Sequence, residues 1–275
     1  MAINYIITDA LRLCAETLIP SIFPFMVLTK LLLACGLDSM IKSVIKKPFE
    51  AIFHLNANLA SAYILGMISG YPQGAYAIAE IYDKGGCTKD EAERALAFCN
   101  NTGPAFMIGA VGSLSGDVKL GRSLFFMQLG ITLLYGILSR PKKLTEADEI
   151  RKNDHIGFDI IPKAVTSSVI PMLNICSFVV IFALVCSWVS LIPVSTEIKA
   201  FIYSIIEITN GVRFICRKAI CIPLLGFTLF WSGMCVHMQT AAAVAGRFSM
   251  KRYYIAKAIQ ATGVFLILYL KNIFF

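Results

Sequence analysis

Leu59-Ala-Ser-Ala-Tyr-Ile-Leu-Gly-Met-Ile-Ser-Gly-Tyr-Pro-Gln-Gly-Ala-Tyr-Ala-Ile-Ala-Glu-Ile-Tyr82 is long enough to cross a bilayer, yet it is broken in its middle. The break is Ser69-Gly70-Tyr71-Pro72-Gln73-Gly74. Pro72 lacks a backbone donor and clashes with the turn before it, and the two glycines loosen the chain on either side. The residue ahead of a proline is also pushed out of helical geometry. Inside lipid, the backbone groups freed by such a break must be satisfied by protein or by a watery cavity. The stretch Ala95–Leu114 repeats the pattern at Asn100-Asn101-Thr102-Gly103-Pro104. Between the breaks, Gly85-Gly86 reads as a helix end and Thr88-Lys-Asp-Glu91 as the capping box of the next helix. The expectation is a hairpin of broken helices with one polar break in each arm.

Composition agrees with a membrane setting. The 275 residues are 57% hydrophobic and 15% charged, with mean hydropathy +0.71. A soluble domain carries about 25% charged residues, so this chain cannot cover a globule of its size with polar groups. The same numbers exclude a disordered tail, a coiled coil and a secreted disulfide scaffold. Clear apolar segments are Leu18–Leu37, Arg122–Leu138, Ile175–Ile192, Ala200–Cys216, Ala219–Val236 and Tyr253–Leu270. With the two interrupted stretches, the expected fold is an all-α, polytopic membrane protein of about eight segments, some broken or re-entrant.

The formal charge of +8 gathers in short clusters between apolar runs: Lys42, Lys46 and Lys47; Arg213, Arg217 and Lys218; Arg247, Lys251 and Arg252. Clusters at segment ends suit anionic headgroups and argue against a nucleic-acid partner. Nine cysteines form no CxxC pair and have no His at zinc spacing, so they read as reduced, buried and structural. Asp9 and Arg12 in the first helix, without a small-residue cleavage pattern, argue against a removable signal peptide. No GxSxG, HExxH, P-loop or dinucleotide motif is present, so no catalytic residue, metal ligand or cofactor is expected and the chain does not read as an enzyme.

A polar stretch of mixed sign divides the sequence into a first membrane unit (1–139), a linker (140–158) and a second unit (159–275). The two units look related. Glu16-Thr-Leu-Ile-Pro20 matches Ser167-Ser-Val-Ile-Pro171, and Ile68-Ser-Gly-Tyr71 matches Trp231-Ser-Gly-Met234. Gln73 and Gln239 follow the second pair, and Asn101-Thr-Gly103 matches Ala261-Thr-Gly263. Internal duplication is frequent in transporters. Four crossings per half make such repeats parallel; three crossings plus a re-entrant hairpin invert them.

Candidate solute-binding residues are those that do not belong in a lipid-facing helix. They are Ser69, Gly70, Pro72, Gln73 and Gly74 in one break, and Asn100, Asn101, Thr102 and Gly103 in the other. Half-helix N-termini there would favour a small anion. Glu207, Asn210 and Arg213, at i+3 steps, would line one helix side, with Glu207 either pairing with Arg213 or carrying a proton. Ser232, Gly233, His237 and Gln239 complete the set, with His237 read as a hydrogen-bonding group. Lys30 lies within a span and reads as structural; His54 and His155 carry no reading.

Leu18-Ile-Pro-Ser-Ile-Phe-Pro-Phe25, Ser69-Gly-Tyr-Pro-Gln-Gly74, Phe98-Cys-Asn-Asn-Thr-Gly-Pro104 and Glu207-Ile-Thr-Asn-Gly211 resemble the YlbJ-like sporulation integral membrane proteins. That family sits in the wider nucleoside-recognition Gate domain group. The resemblance implies a multi-pass protein of the outer forespore membrane in spore-forming bacteria. It also implies transport of dipicolinic acid, with the bilayer, a second copy of the chain or other sporulation membrane proteins as partners. Another solute such as a nucleoside, or a scaffold role in spore-envelope assembly, are the alternatives.

Overall fold

The computed structural model describes residues 3–34, 37–141 and 159–274. Most of the polar linker, 142–158, lies outside the described residues, and His155 with it. The regular structure among the described residues is entirely helical. In the first half, α1 (Ile3–Leu13) passes through the π-helical turn Cys14–Leu18 into α2 (Ile19–Ala34), and α3 (Leu37–Phe53) follows. Next come α4 (Leu59–Ser69), α5 (Gln73–Asp83) and α6 (Lys89–Cys99). The chain then runs through the π-helical Ala105–Val111 and α7 (Gly112–Ser115) into α8 (Val118–Leu138). The second half holds α9 (Ile160–Leu191), α10 (Thr196–Ile206), α11 (Ile208–Arg217), α12 (Ile222–Trp231), α13 (Gly233–Val244) and α14 (Lys251–Phe274).

Among the described residues, three helices are long and apolar enough to cross a membrane alone: Val118–Leu138, Ile160–Leu191 and Lys251–Lys271. At 1.5 Å per residue the shortest spans about 32 Å, enough for a hydrocarbon core of about 30 Å. Their outer faces are apolar, with Phe126, Leu134, Trp188, Leu191, Ile259 and Leu266 all at least half exposed. Exposed apolar side chains on this scale have lipid as their natural solvent.

The expected eight segments are not eight continuous helices. Ala200–Cys216, read as one span, divides at Glu207, and Ala219–Val236 divides at Ser232. Each resulting piece has 10 to 12 residues. Such a piece rises only about 15–18 Å, so it spans about half the core. The pieces are arranged as two hairpins of broken helices. One comprises α4–α5, a tight turn and α6 with its π-helical continuation; the other comprises α10–α11, a turn and α12–α13. By element order, Glu207 therefore follows the position of Ser69–Pro72, and Ser232 that of Asn100–Gly103. The sequence match of Ile68–Tyr71 with Trp231–Met234 does not follow this order, because both share only the small Ser-Gly pair that helix breaks favour.

Packing places α14 against both α6 and α12, so that it bridges the two hairpins, while α2 and α1 lie along α9. Phe49, Phe53, Tyr63 and Phe98 cluster beneath the first hairpin, with Phe53 and Phe98 stacked at 4.9 Å. Lys30 is structural, as expected: its Nζ donates to Ser167 O at 2.5 Å and to Ser167 Oγ at 2.9 Å, tying α2 to α9. All described cysteines are free and most are buried, but Cys221 is exposed because it lies in the turn before α12.

The tip of the first hairpin forms as its sequence predicts. Gly85 adopts φ 72°, and the Gly86 amide donates to Ile81 O at 2.9 Å. Thr88 Oγ1 accepts from the Glu91 amide, and Glu91 Oε2 accepts from the Thr88 amide at 2.9 Å. Glu91 is fully buried, and its other oxygen accepts from the Asn56 amide at 2.9 Å, so one carboxylate also fixes the loop before α4. Thr88→Ala removes a cap, costing about 1 kcal/mol. Glu91→Ala strips two backbone donors of a charged partner and should cost about 2–4 kcal/mol. Thermal unfolding in detergent should show the larger drop for Glu91→Ala.

Candidate functional site

Each break frees backbone groups, and the structure satisfies them by setting breaks against one another. Gly70, at φ 76°, lies so close to Gly103 that a Cβ on Gly70 would come within 2.5 Å of the Gly103 nitrogen. Gly70 needs to be glycine for that approach, and a Cβ on Gly103 would meet the Gly70 nitrogen at a tight 3.1 Å. The Tyr71 amide donates to Asn101 O at 2.7 Å, joining the two breaks of the first hairpin directly. The next peptide, Tyr71–Pro72, is cis. In the second hairpin, Gly233 (φ 78°) faces the backbone of Glu207 in the same way.

Glu207 is 2% exposed and its backbone is extended, with φ −151° and ψ 122°. Its carboxylate accepts from the Thr209 amide at 2.9 Å, the Asn210 amide at 2.7 Å and Asn210 Nδ2 at 2.9 Å. The buried negative charge is thus spread over the positive end of α11. This overturns the expected pairing with Arg213. Glu207 caps the helix instead of lying on its side, and Arg213 is partly buried further along α11 and makes no ion pair among the described residues. The Ile205 carbonyl accepts from Trp231 Nε1 at 3.3 Å, and the Leu229 carbonyl accepts from Thr102 Oγ1 at 3.1 Å.

A cavity of about 300 Å³ lies where these breaks converge. Of the expected residues, Ser69, Gly70, Gly103, Glu207 and Gln239 line it. The N-terminal ends of the π-helical Ala105–Val111 and of α11 both reach its wall, through Pro104–Phe106 and Ile208–Thr209. The opposite wall is apolar, with Leu18, Ile22, Phe25, Ile175 and Val179. Tyr71 also lines it, with its buried hydroxyl beside Thr102 and without a well-formed hydrogen bond among the described residues.

The remaining expected residues support the breaks instead of lining the cavity. Pro72 precedes α5, and the next two residues, Gln73 and Gly74, open that helix. Gln73 is buried with Nε2 unpartnered, and Gly74 abuts the Cys99 carbonyl. Thr102 is held by Gln128, whose Nε2 donates to Thr102 O at 2.7 Å. Ser232, at φ 75°, donates to Leu229 O. Asn210 serves only to hold Glu207.

Asn100, Asn101 and His237 join a second polar group, which includes a residue the sequence reading missed. Lys257, 2% exposed within α14, donates from Nζ to Asn101 Oδ1 at 2.9 Å and lies 5.8 Å from the Tyr253 ring centroid. The Tyr253 hydroxyl is 3.1 Å from His237 Nδ1, and Asn100 Nδ2 donates to Thr240 Oγ1 at 2.9 Å. Asn100 Oδ1 and His237 Nε2 remain buried without partners. The missed signal was a single lysine inside an otherwise apolar span, Tyr253-Tyr-Ile-Ala-Lys257, with no basic neighbour nearer than Arg252 to suggest an interface position.

Because Lys257 is held by a neutral amide and not a carboxylate, its two partners differ in what their loss exposes. Lys257→Met removes the charge together with its need and should leave the melting temperature unchanged or higher. Asn101→Leu leaves a buried ammonium without its acceptor and should cost about 2–4 kcal/mol, with Lys257→Met restoring much of it in the double variant. Thermal unfolding of the three variants in one detergent would check this.

Comparison with known proteins bears on the whole chain. The sporulation integral membrane protein YlbJ of Bacillus subtilis (strain 168) is 24% identical over 310 aligned residues, covering 94% of this chain and 75% of the relative. No protein-family model matches the chain, and no solved structure matches it. With three described helices fit to span a bilayer and an alignment that embraces both hairpins, the chain is a multi-pass integral membrane protein that is similar to YlbJ over nearly its whole length.

Proposed function

We propose that this chain is a secondary permease that moves a small anionic solute across a membrane of the sporulating cell, with dipicolinic acid in the outer forespore membrane as the solute. The observation that carries this reading is the cavity at the meeting point of the helix breaks, with two half-helix N-termini and a buried carboxylate in its wall. A scaffold has no use for polar breaks kept at such cost inside an apolar fold. The N-terminal end of the π-helical Ala105–Val111 and the Tyr71 hydroxyl suit carboxylate oxygens, and the apolar wall suits a flat aromatic ring. The relative's role in sporulation supplies the setting. The two hairpins, with paired breaks in each, further support a duplicated architecture of related halves.

Glu207 gives the reading a mechanism. An ionised carboxylate in the wall repels an incoming anion, whereas a protonated one does not. Proton uptake at Glu207 with solute entry makes anion movement dependent on a pH gradient, and release of both on the other side resets the site. No nucleotide-binding motif supplies another energy source.

Purified protein in liposomes should take up labelled dipicolinate faster when the pH gradient is inward-acid than when it is absent. Glu207→Gln should keep solute exchange and lose gradient-driven accumulation. Uptake of nucleosides instead of dipicolinate would assign the other solute class. Absence of uptake for both, with correctly folded protein, would favour the scaffold.

A further inference from the structure

A second pocket, of about 410 Å³, opens at the tip of the first hairpin, away from the helix breaks. It lies between the first turns of α6, the C-terminal end of α8 and the start of α14, and its polar wall is Asp90, Arg94, Tyr135, Ser139 and Arg252. The Arg94 side chain is only 8% exposed. Its Nε contacts Asp90 Oδ2 at 3.0 Å, but Nη1 and Nη2 are both buried and have no hydrogen-bond partner among the described residues. Arg252 Nη1 meets the other oxygen of the same carboxylate, Asp90 Oδ1, at 2.7 Å. One acid therefore aligns two guanidinium groups, and the terminal nitrogens of Arg94 are left without an acceptor.

A buried guanidinium with both terminal nitrogens unpaired is costly unless an acceptor with two oxygens completes it. Guanidinium geometry matches phosphate oxygens in pairs. The positive N-terminal ends of α6 and α14 add to the attraction. α8 and α14 are two of the described helices long and apolar enough to span a membrane, and the pocket lies beside the end of one and the start of the other, where headgroups would be met. Nearby, Arg247 is paired with Asp83 at 2.8 Å and the Ser249 amide donates to Glu93 at 3.1 Å, which ties the loop before α14 to the first hairpin.

We propose that this pocket is a phosphate-binding site, in which Arg94 takes two oxygens of one phosphate and Arg252 a third. The phosphate belongs either to an anionic phospholipid headgroup or to a soluble phosphate compound, and the chemistry of the site is the same for both. Bound phosphate locks the hairpin tip onto α14, the helix that bridges the two hairpins.

The test uses the full-length protein in nanodiscs of phosphatidylcholine alone, in nanodiscs containing phosphatidylglycerol, and in phosphatidylcholine nanodiscs with added inorganic phosphate. Thermal unfolding should shift upward in at least one of the two arms that supply net anionic phosphate, which the zwitterionic phosphatidylcholine headgroup does not. A shift with phosphatidylglycerol alone identifies the lipid headgroup as the source; a shift with inorganic phosphate identifies a soluble phosphate. Arg94→Gln and Arg252→Gln should abolish the shift, Arg94→Lys should weaken it, and Arg217→Gln, an exposed basic residue elsewhere, should leave it intact. If Arg94→Gln does not fold, Arg252→Gln carries the test, since that side chain is 45% exposed. No shift in either arm, or an equal shift in wild type and in the folded pocket variants, would overturn the proposal.

Discussion

A polypeptide that interrupts its helices inside lipid must find partners for the N–H and C=O groups that each interruption releases. Here the partners come from other interruptions. The Tyr71 amide takes the Asn101 carbonyl, Thr102 takes the Leu229 carbonyl, Trp231 takes the Ile205 carbonyl, and Glu207 absorbs the first amides of its own downstream helix. No break could be kept alone. The crossing of the two hairpins, the close glycine contacts and the cavity all follow from that mutual dependence.

The charges embedded in this arrangement are few, and each is placed differently. Glu207 sits on a helix N-terminus, where backbone dipoles stabilise an anion without a counter-ion. Lys257 leans on an amide oxygen and an aromatic face, a weaker setting for a cation. The acid lies at the cavity wall and the base behind the opposite break, so neither cancels the other. Such unpaired charges inside a membrane fold mark function more often than stability.

Much of this was legible from residue types. Pro72, Gly85-Gly86 and Thr88–Glu91 each carry a local rule strong enough to act without tertiary help, and the first hairpin follows them. The second hairpin was harder. Ile205-Ile-Glu-Ile-Thr-Asn looks like continuous amphipathic helix, and nothing local says that the glutamate will turn back to cap the next turn. Helical periodicity and an Asx-like cap compete at such a position, and contact with Gly233 decides the outcome. For the site, the breaks themselves were readable, but which break residues face the cavity and which fill the space behind it depends on the crossing. Asn100 and Asn101 look like ligands and serve as struts, while Lys257 was concealed by the apolar run around it.

The hydrogen bond from Thr102 to the Leu229 carbonyl gives the molecule a gearing. Thr102 belongs to the first hairpin and Leu229 to the second, and the carbonyl it engages has lost its helical donor at the left-handed turn of Ser232. If the hairpins slide past each other, that oxygen loses its Thr102 donor and keeps only the longer 3.4 Å bond from Ser232 Oγ. The bond therefore couples the two hairpins beside the cavity, and a shift of one without the other leaves that carbonyl with its weaker donor alone.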